Sequence, residues 1–567
     1  MPDDIELAPR YYLHNFHRLC DTVEERYGDV FSAREQAVLE NFRGAPEPAR
    51  CLFVRLVSRT GPWFRESRLS YPEIGPIAPA LDTLCDLGLA EETAGLTAEE
   101  AGQLFTRAEL EEAFAEHLGS EKFRSKSDLL EAIEAAGLAD RRFMRALAGI
   151  DPLRVVTPGQ VELVERLEVL FFGNRYQGLT EFVLEDLGVM RYYTYPLERE
   201  QRLFADRGAL EEYLALALLS DTRHELLEED ATEELPTLAR EVLETDTRYP
   251  SSRNRLDRLC NSLARDLERL EEAELALALY ERSGRHPARE RRARIMERGQ
   301  EWAAARDLCT DILRDPVCEA EQEAAARILP RVLRKLGGKP AQRTRDVFLE
   351  THLNVQMTGA VEEATAAELR GQWRAVHFVE NSLMNTLFGL AFWEEIFAPV
   401  PGVFHHAYQA GPADMYEAGF RRARADLIDA RLRSLARCDM RAELVAAYRR
   451  YFPCQCHWVD WRHIDEDLVG DAAATIPRAH LLAIFERILF DPRENRRGFP
   501  DLLALGDDTG DYCLVEVKGP GDALQDGQKR WLRFFAANDI PAQVAWVTWD
   551  GGTEDPAGGI EGKGEPA

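Results

Sequence analysis

The chain has 567 residues, too many for one compact core, so three or four domains are expected. Its 45% hydrophobic and 30% charged residues describe a folded globular chain rather than a disordered one, and no stretch approaches the roughly 20 apolar residues of a membrane span. A net charge of −30 excludes non-specific adhesion to nucleic acid over the whole surface, so any DNA contact must gather Arg and Lys on one face.

In chain order, residues 1–95 read as helical. Tyr11-Tyr-Leu-His-Asn-Phe16 opens an amphipathic run, and Cys51-Leu-Phe-Val-Arg-Leu-Val57 begins another. Trp63-Phe64-Arg65 and Leu69-Ser-Tyr71-Pro-Glu-Ile74 add aromatics interleaved with arginine, a pattern that packs more often than it binds. The start, Met-Pro-Asp-Asp-Ile-Glu, lacks the basic-then-apolar pattern of a signal peptide. Residues 96–145 hold two short helices, each announced by a capping box: Thr106-x-x-Glu109 and Ser125-x-x-Asp128. Lys122, Arg124 and Lys126 make the link between them basic, either a solvated charge run or a phosphate contact. Residues 146–245 form a helical linker region. No chemistry is legible in it, and Arg175, Tyr176 and Tyr192 either pack or touch a DNA backbone.

Residues 246–370 are helix after helix. Glu272–Tyr280, Ala288–Arg298, Glu301–Leu313 and Gln322–Leu333 are separated by Ser-Gly or Asp-Pro breaks, about two helices per 34 residues, as in tetratricopeptide-like solenoids. Arginine is dense here. Arg253, Arg255 and Arg258, with Arg265, Arg289, Arg291, Arg292 and Arg294, either line a DNA track or pair with the equally abundant glutamates along exposed faces. Residues 371–550 make the last folded domain. A helix is expected from Trp373 to Phe397, carrying Glu380 on an apolar stripe with His377, Leu383, Met384 and Leu387. A carboxylate there costs several kcal/mol unless paired or metal-bound. Further helices are expected around Ala418–Leu435 and Arg478–Phe490, and residues 551–567 form a Gly/Glu/Pro-rich disordered tail.

The ten cysteines show no disulfide spacing, which points to a reducing, cytoplasmic, nucleoid-associated location. Cys454-Gln-Cys456-His457 with His463 fits no common zinc pattern, so buried thiols are expected there.

The chemistry converges on Pro500-Asp501…Glu516-Val517-Lys518. Two apolar runs, Leu502–Leu505 and Cys513–Val517, flank a Gly/Asp/Thr loop and read as a β-hairpin. With the turn at Asp508-Thr509, Leu505 faces Tyr512, Leu503 faces Leu514, and Asp501 lands opposite Glu516. Like charges so placed, about 5 Å apart at Cβ, repel. Period-2 alternation sets Lys518 on the face of Glu516. Carboxylate oxygens in that register suit a hard divalent cation, Mg²⁺ or Mn²⁺.

Arg497-Gly-Phe-Pro-Asp501…Val-Glu516-Val-Lys518-Gly-Pro-Gly-Asp…Gln528-Lys-Arg-Trp531, followed by the strand Gln543–Trp549, resembles the virus-type replication-repair (VRR) nuclease branch of the PD-(D/E)xK superfamily. Tyr-Tyr-Leu-x-Asn-Phe, Val-Arg-Leu-x-x-Arg, Trp-Phe-Arg and Leu-x-Tyr-x-Glu-Ile, in that order near the start, resemble the N-terminal region of the Fanconi-associated nucleases. The helix pair with its basic junction resembles the SAP-type module that this family carries at the same place. Together these make the chain similar to a bacterial Fanconi-associated nuclease. The fold this implies is multidomain and mostly α, with an N-terminal helical DNA-binding region, a SAP-like module and TPR-like repeats. A C-terminal α/β PD-(D/E)xK nuclease domain follows.

The resemblance further implies a structure-selective, Mg²⁺- or Mn²⁺-dependent DNA nuclease, with two ions expected. It would cut near 5′ flaps and junctions, trim 5′ to 3′, and serve interstrand-crosslink repair. Asp501, Glu516, the Val517 carbonyl and Glu380, whose segment His377-Phe-Val-Glu380-Asn-Ser resembles one holding a catalytic glutamate, would form the metal shell. Lys518 and Gln528 would serve catalysis. Branched DNA is the expected partner, with no membrane. Protein partners stay open, and the cysteine-rich ubiquitin-binding zinc finger of the animal members is not found. The rivals are a Holliday-junction resolvase or restriction-type nuclease on the same core, and a non-catalytic helical-repeat scaffold.

Overall fold

The computed structural model describes residues 9–59, 61–93, 96–118, 123–137, 141–150, 154–179, 182, 190–338, 346–356 and 359–550. They form two compact units, one reaching to Met190 and including Glu198–Arg207, the other comprising Arg191–Leu197 and everything from Gly208. Among these residues no single helix is long and apolar enough to cross a membrane.

In the first unit the early sequence is helical but not wholly so. Helices Tyr11–Tyr27, Ala33–Gly44, Glu47–Val57 and Ile77–Asp86 are joined by a three-stranded sheet in which Val155–Pro158 lies between Phe64–Arg65 and Ala90–Glu92. Phe64 and Arg65 are strand because they pair with Val156 and Val155, and both are buried. Arg65 is 4% exposed, pairs with Glu109 at 3.0 Å and lies 3.9 Å over the Phe105 ring. Arg55 similarly stacks on Tyr12 at 3.9 Å while it and the Tyr12 hydroxyl both donate to Glu73. The interleaved aromatics and arginines are packing here. Both capping boxes form, at helices Arg107–Leu118 and Lys126–Ala135, whose facing sides bury Leu110, Phe114, Leu129 and Ile133. Of the linker residues, Tyr176 is exposed, Tyr192 packs edge-on to Tyr408 at 5.9 Å, and 183–189 lie outside the described residues, as does the tail 551–567.

The second unit includes the helices Leu235–Glu244, Pro250–Arg269, Ala273–Arg282, Ala288–Arg298, Trp302–Arg314 and Glu319–Lys335. Their small and aliphatic faces interlock through Leu256, Leu263, Leu279, Ala305 and Ile328. Acid–base pairs tie these helices together, among them Arg291 to the buried Glu268 carboxylate at 2.6 Å and Arg292 to Glu281 at 3.1 Å.

The remaining elements build one sheet, labelled here in chain order: β1 (Glu350–Val355), α1 (Val361–Leu369), β2 (Ala375–Phe378), α2 (Leu383–Ala391), α3 (Met440–Tyr451), α4 (Arg478–Phe490), β3 (Leu502–Leu505), β4 (Tyr512–Lys518), α5 (Asp526–Ala537) and β5 (Ala542–Trp549). The order is β1-β5-β4-β3-β2. The first two pairings are parallel, and those of β4 with β3 and β3 with β2 are antiparallel. Two expectations are corrected. Residues 350–369 belong to this sheet and its first helix rather than to the repeats, since β1 hydrogen-bonds to β5 along its length. The expected helix from Trp373 begins only at Leu383, because Ala375-Val-His-Phe pairs with β3 and buries Val376 while Phe378 points outward. Between β2 and β3, helices wrap α2, every residue of which except Asn385 is buried. Cys454 and Cys456 are buried thiols of that core, and His463 pairs with Asp460.

Candidate active site

The hairpin register is the one read from the sequence: Leu505 faces Tyr512, Leu503 faces Leu514 and Leu502 faces Val515. One step further brings Asp501 opposite Glu516. The three polar groups are deeply placed, with Asp501 7%, Glu516 1% and Lys518 8% exposed. Asp501 is held from both ends. Its carbonyl accepts from Val379 N–H at 2.8 Å, and Oδ2 accepts from Val517 N–H at 2.7 Å. Lys518 Nζ stands 2.8 Å from Glu516 Oε1, close enough to pair but not aligned as a hydrogen bond. Neither Glu516 oxygen accepts a hydrogen bond.

That is an expensive arrangement. Burial first, then the neighbouring Asp501, push the Glu516 carboxyl up to about 8 despite Lys518. Burial likewise raises Asp501 to about 6, with Glu380 and Glu362 adding to the rise and the Val517 N–H and Lys518 opposing it. Buried polar atoms without partners cost stability and are rare unless they serve a site. Two carboxylates that resist ionisation side by side are what a hard cation would relieve, so the donor set fits a divalent metal. No three His, Cys, Asp or Glu side chains among the described residues already converge as a cage, so the fit rests on the orphaned Glu516 oxygens facing Asp501.

The other expected site residues are placed differently. Glu380 lies in the turn between β2 and α2, exposed, and accepts from Asn381 Nδ2 at 3.1 Å. Glu380 is therefore not on an apolar helix face as expected, although its charge does act on both hairpin carboxylates. The turn is fixed by Asn381, at φ +50°, whose Oδ1 accepts from Phe499 N–H. Gln528 does not reach the carboxylates by any hydrogen bond among the described residues. Its Oε1 accepts from Gln525 N–H at 2.8 Å, closing a capping box at the start of α5. Val517 contributes its N–H to Asp501. Trp531, on α5, stacks on Phe499 with ring centres 4.1 Å apart and donates Nε1–H to Arg497 O, so the outer motif residues brace the hairpin. At Gly498, φ is +82°, and a Cβ would lie 2.8 Å from the Gly527 carbonyl carbon; only glycine lets α5 approach this closely.

Glu362, in the first turn of α1, is the residue the sequence reading missed. It is half-buried, and its charge raises Asp501. A Val-Glu-Glu run after a strand was the available signal, hidden while residues 350–370 were counted with the repeats. Beside it, Asp522 Oδ2 accepts from Gly519 N–H at 2.9 Å and closes the turn after Lys518.

Of the basic candidates, Lys122 lies outside the described residues, Arg124 is exposed and Lys126 half-buried. Arg253 bonds the Arg282 carbonyl at 3.0 Å and Asp257 at 3.3 Å. Arg255 stacks on Tyr213 at 4.4 Å, and Arg258 pairs with Glu417 at 2.8 Å.

The chain matches three family models: the FAN1 HTH domain over residues 10–91, the Fanconi anemia-associated nuclease SAP domain over 95–145, and the VRR-NUC domain over 437–549. It is 36% identical to the Fanconi-associated nuclease 1 homolog of Pseudomonas aeruginosa, over 95% of this chain and 96% of that one. Identity to the Arabidopsis thaliana homolog is 26%, over 95% of this chain and 67% of the relative. The crystal structure of paFAN1 bound to 5′-flap DNA with a 2-nucleotide flap and a gap superposes with a TM-score of 0.81 at 35% identity, covering 96% of this chain and 99% of that one. The same protein with a 1-nucleotide flap gives 0.80 at 36% identity, covering 96% of this chain and 100% of that one.

Proposed function

The chain belongs to the Fanconi-associated nuclease family, a divalent-metal-dependent DNA nuclease family, and on that footing we propose how it works: it cuts branched DNA near 5′ flaps, trims 5′ to 3′, and serves interstrand-crosslink repair. The single observation that carries the reading is the buried Glu516 carboxylate opposite Asp501, accepting no hydrogen bond and paired with Lys518 alone. Asp501, Glu516, the Val517 carbonyl and Glu380 would hold Mg²⁺ or Mn²⁺, two ions at full occupancy, and Glu362 is near enough to act on the same charge. When bound, the metal neutralises charge on the phosphate and makes water more acidic.

The rest falls to the protein. The Val517 N–H keeps Asp501 in one rotamer, so the carboxylate pair is preorganised before substrate arrives. Lys518, held against Glu516, is positioned to orient the attacking water or to donate to a phosphate oxygen. The brace of Phe499 and Trp531 fixes the strand that carries Asp501, and Gln528 acts on the site only through the helix it caps. The arginines Arg253, Arg255 and Arg258, with Lys122, Arg124 and Lys126, are the proposed phosphate contacts. Cytoplasmic, nucleoid-associated action accords with the unpaired cysteines.

Purified protein given labelled 5′-flap, 3′-flap, four-way-junction and duplex DNA, with Mg²⁺, Mn²⁺ or chelator, tests the proposal. Metal-dependent incision preferring the 5′ flap, absent in Glu516→Gln, is expected. Symmetric junction cutting would favour a resolvase instead, and no cleavage under any metal would leave a scaffold.

A further inference from the structure

At the far end of the hairpin from the carboxylates lies a cavity of about 470 Å³. Arg437 enters it from the link before α3, Arg441 from the first turn of α3, and Arg478 from the first turn of α4. All three are exposed, and none has a carboxylate within ion-pair distance among the described residues. The repeat arginines, by contrast, are largely matched to acids.

One of the neighbouring acids stays in the cavity wall and two are paired elsewhere. Asp439 lines the cavity, but its Oδ1 caps α3 by accepting from Ala442 N–H at 3.1 Å. Asp471 and Asp507 both pair with Arg374, at 3.0 and 3.8 Å. Pro477, before α4, offers no side-chain cap, so the positive end of that helix dipole faces the same space as Arg478. The walls are fixed: Thr509 Oγ1 donates to Ala474 O at 3.0 Å and Gly510 N–H to Thr475 O at 2.7 Å, tying the hairpin tip to the helix Glu466–Thr475. Arg478 also donates to Ala436 O at 2.8 Å, which keeps its guanidinium at the rim.

Three arginines lining a fixed recess suit a phosphate, which takes forked N–H donors from several sides. Tyr512 and Glu516 are four residues apart on β4, about 13 Å at ~3.3 Å per residue, and the tip lies beyond Tyr512. The cavity is thus roughly 15–20 Å from the carboxylates, less than the ~34 Å of one duplex turn. We propose that this cavity binds a backbone phosphate of the DNA substrate, within one helical turn of the one that is cut. The assignment rests on the nuclease reading above.

The test compares wild type with a variant carrying Arg437→Gln, Arg441→Gln and Arg478→Gln, in chelator, binding a fluorescent 5′-flap DNA over a range of salt. Losing one phosphate contact lowers the slope of log affinity against log salt by about 0.9. Affinity near 100 mM salt should fall several-fold to tenfold. Among methylphosphonates placed one at a time through the duplex turn next to the cut, one should weaken wild type and leave the variant unchanged. Melting temperature reports on folding; should the triple variant not fold, Arg441→Gln alone carries the same comparison with a smaller effect. Equal affinity and slope in wild type and a folded variant would overturn the assignment while leaving the nuclease reading intact. So would inorganic phosphate stabilising wild type alone with the DNA slope unchanged, which would mark a small-anion site. If wild type neither binds nor cuts the flap with Mg²⁺ or Mn²⁺, the nuclease reading itself fails.

Discussion

Gly498→Ala tests whether the approach of α5 to the hairpin sets the site. Gly498 has φ +82°, where an alanine costs about 1–2 kcal/mol. Its added Cβ would lie 2.8 Å from the Gly527 carbonyl carbon and 3.1 Å from Gln528 N, backbone atoms that cannot swing aside like a side-chain tip. Overpacking of this kind adds about 1–3 kcal/mol. The total is roughly 2–5 kcal/mol unless the first turn of α5 or the Arg497–Asp501 segment yields. Yielding displaces Asp501, three residues on, and an error of ~1 Å at a catalytic group costs up to about a hundredfold in rate. Gly337→Ala is the comparator: its φ is +80° but nothing lies within 4 Å of the added carbon, so it bears the conformational cost alone. Thermal unfolding and single-turnover flap cleavage of the two variants decide the matter. Equal losses of stability in both, with Gly498→Ala cutting at the wild-type rate, would refute the reasoning.

Asp501→Ala, Glu516→Ala and Lys518→Ala should each nearly abolish cleavage while flap affinity stays within a few-fold, and double variants should be little worse than single ones. Normal turnover by Asp501→Ala would remove the chemistry from the hairpin. Glu380 is exposed, so Glu380→Gln should leave the melting temperature unchanged yet weaken metal binding and cleavage, with partial rescue by high Mn²⁺; a fall in melting temperature with metal affinity kept would make it structural. Burial raises Glu168 to about 7, the Leu179 N–H opposing, so between about pH 4.5 and 7 the native state holds a proton the unfolded chain has released. The stability of the first unit should therefore fall as pH rises through that window, by up to about 3 kcal/mol, and denaturation of Glu168→Gln should show no such fall. If Arg253, Arg255 and Arg258 touch phosphate despite their internal partners, neutralising all three should flatten the salt dependence of flap binding; an unchanged slope assigns them to helix-surface pairing.

Local patterns were enough for much of this protein. The β3–β4 hairpin was legible because alternation and a Gly/Asp/Thr turn fix register, and register alone sets Asp501, Glu516 and Lys518 on one face. Helix Ala288–Arg298 and both capping boxes followed from periodicity and cap chemistry confined to a few residues. What the sequence did not determine is non-local. Whether Ala375–Phe378 is helix or strand depends on the free edge of β3, more than a hundred residues later, and β1 is recognisable only through its parallel partner β5. The same pairings decide that Glu380 sits in an exposed turn, that Glu362 comes within electrostatic reach of Asp501, and that Gln528 caps its own helix. The tertiary structure also decides which arginines are spent on glutamates and which, like Arg437, Arg441 and Arg478, are not, because pairing depends on which faces the packed helices bring together.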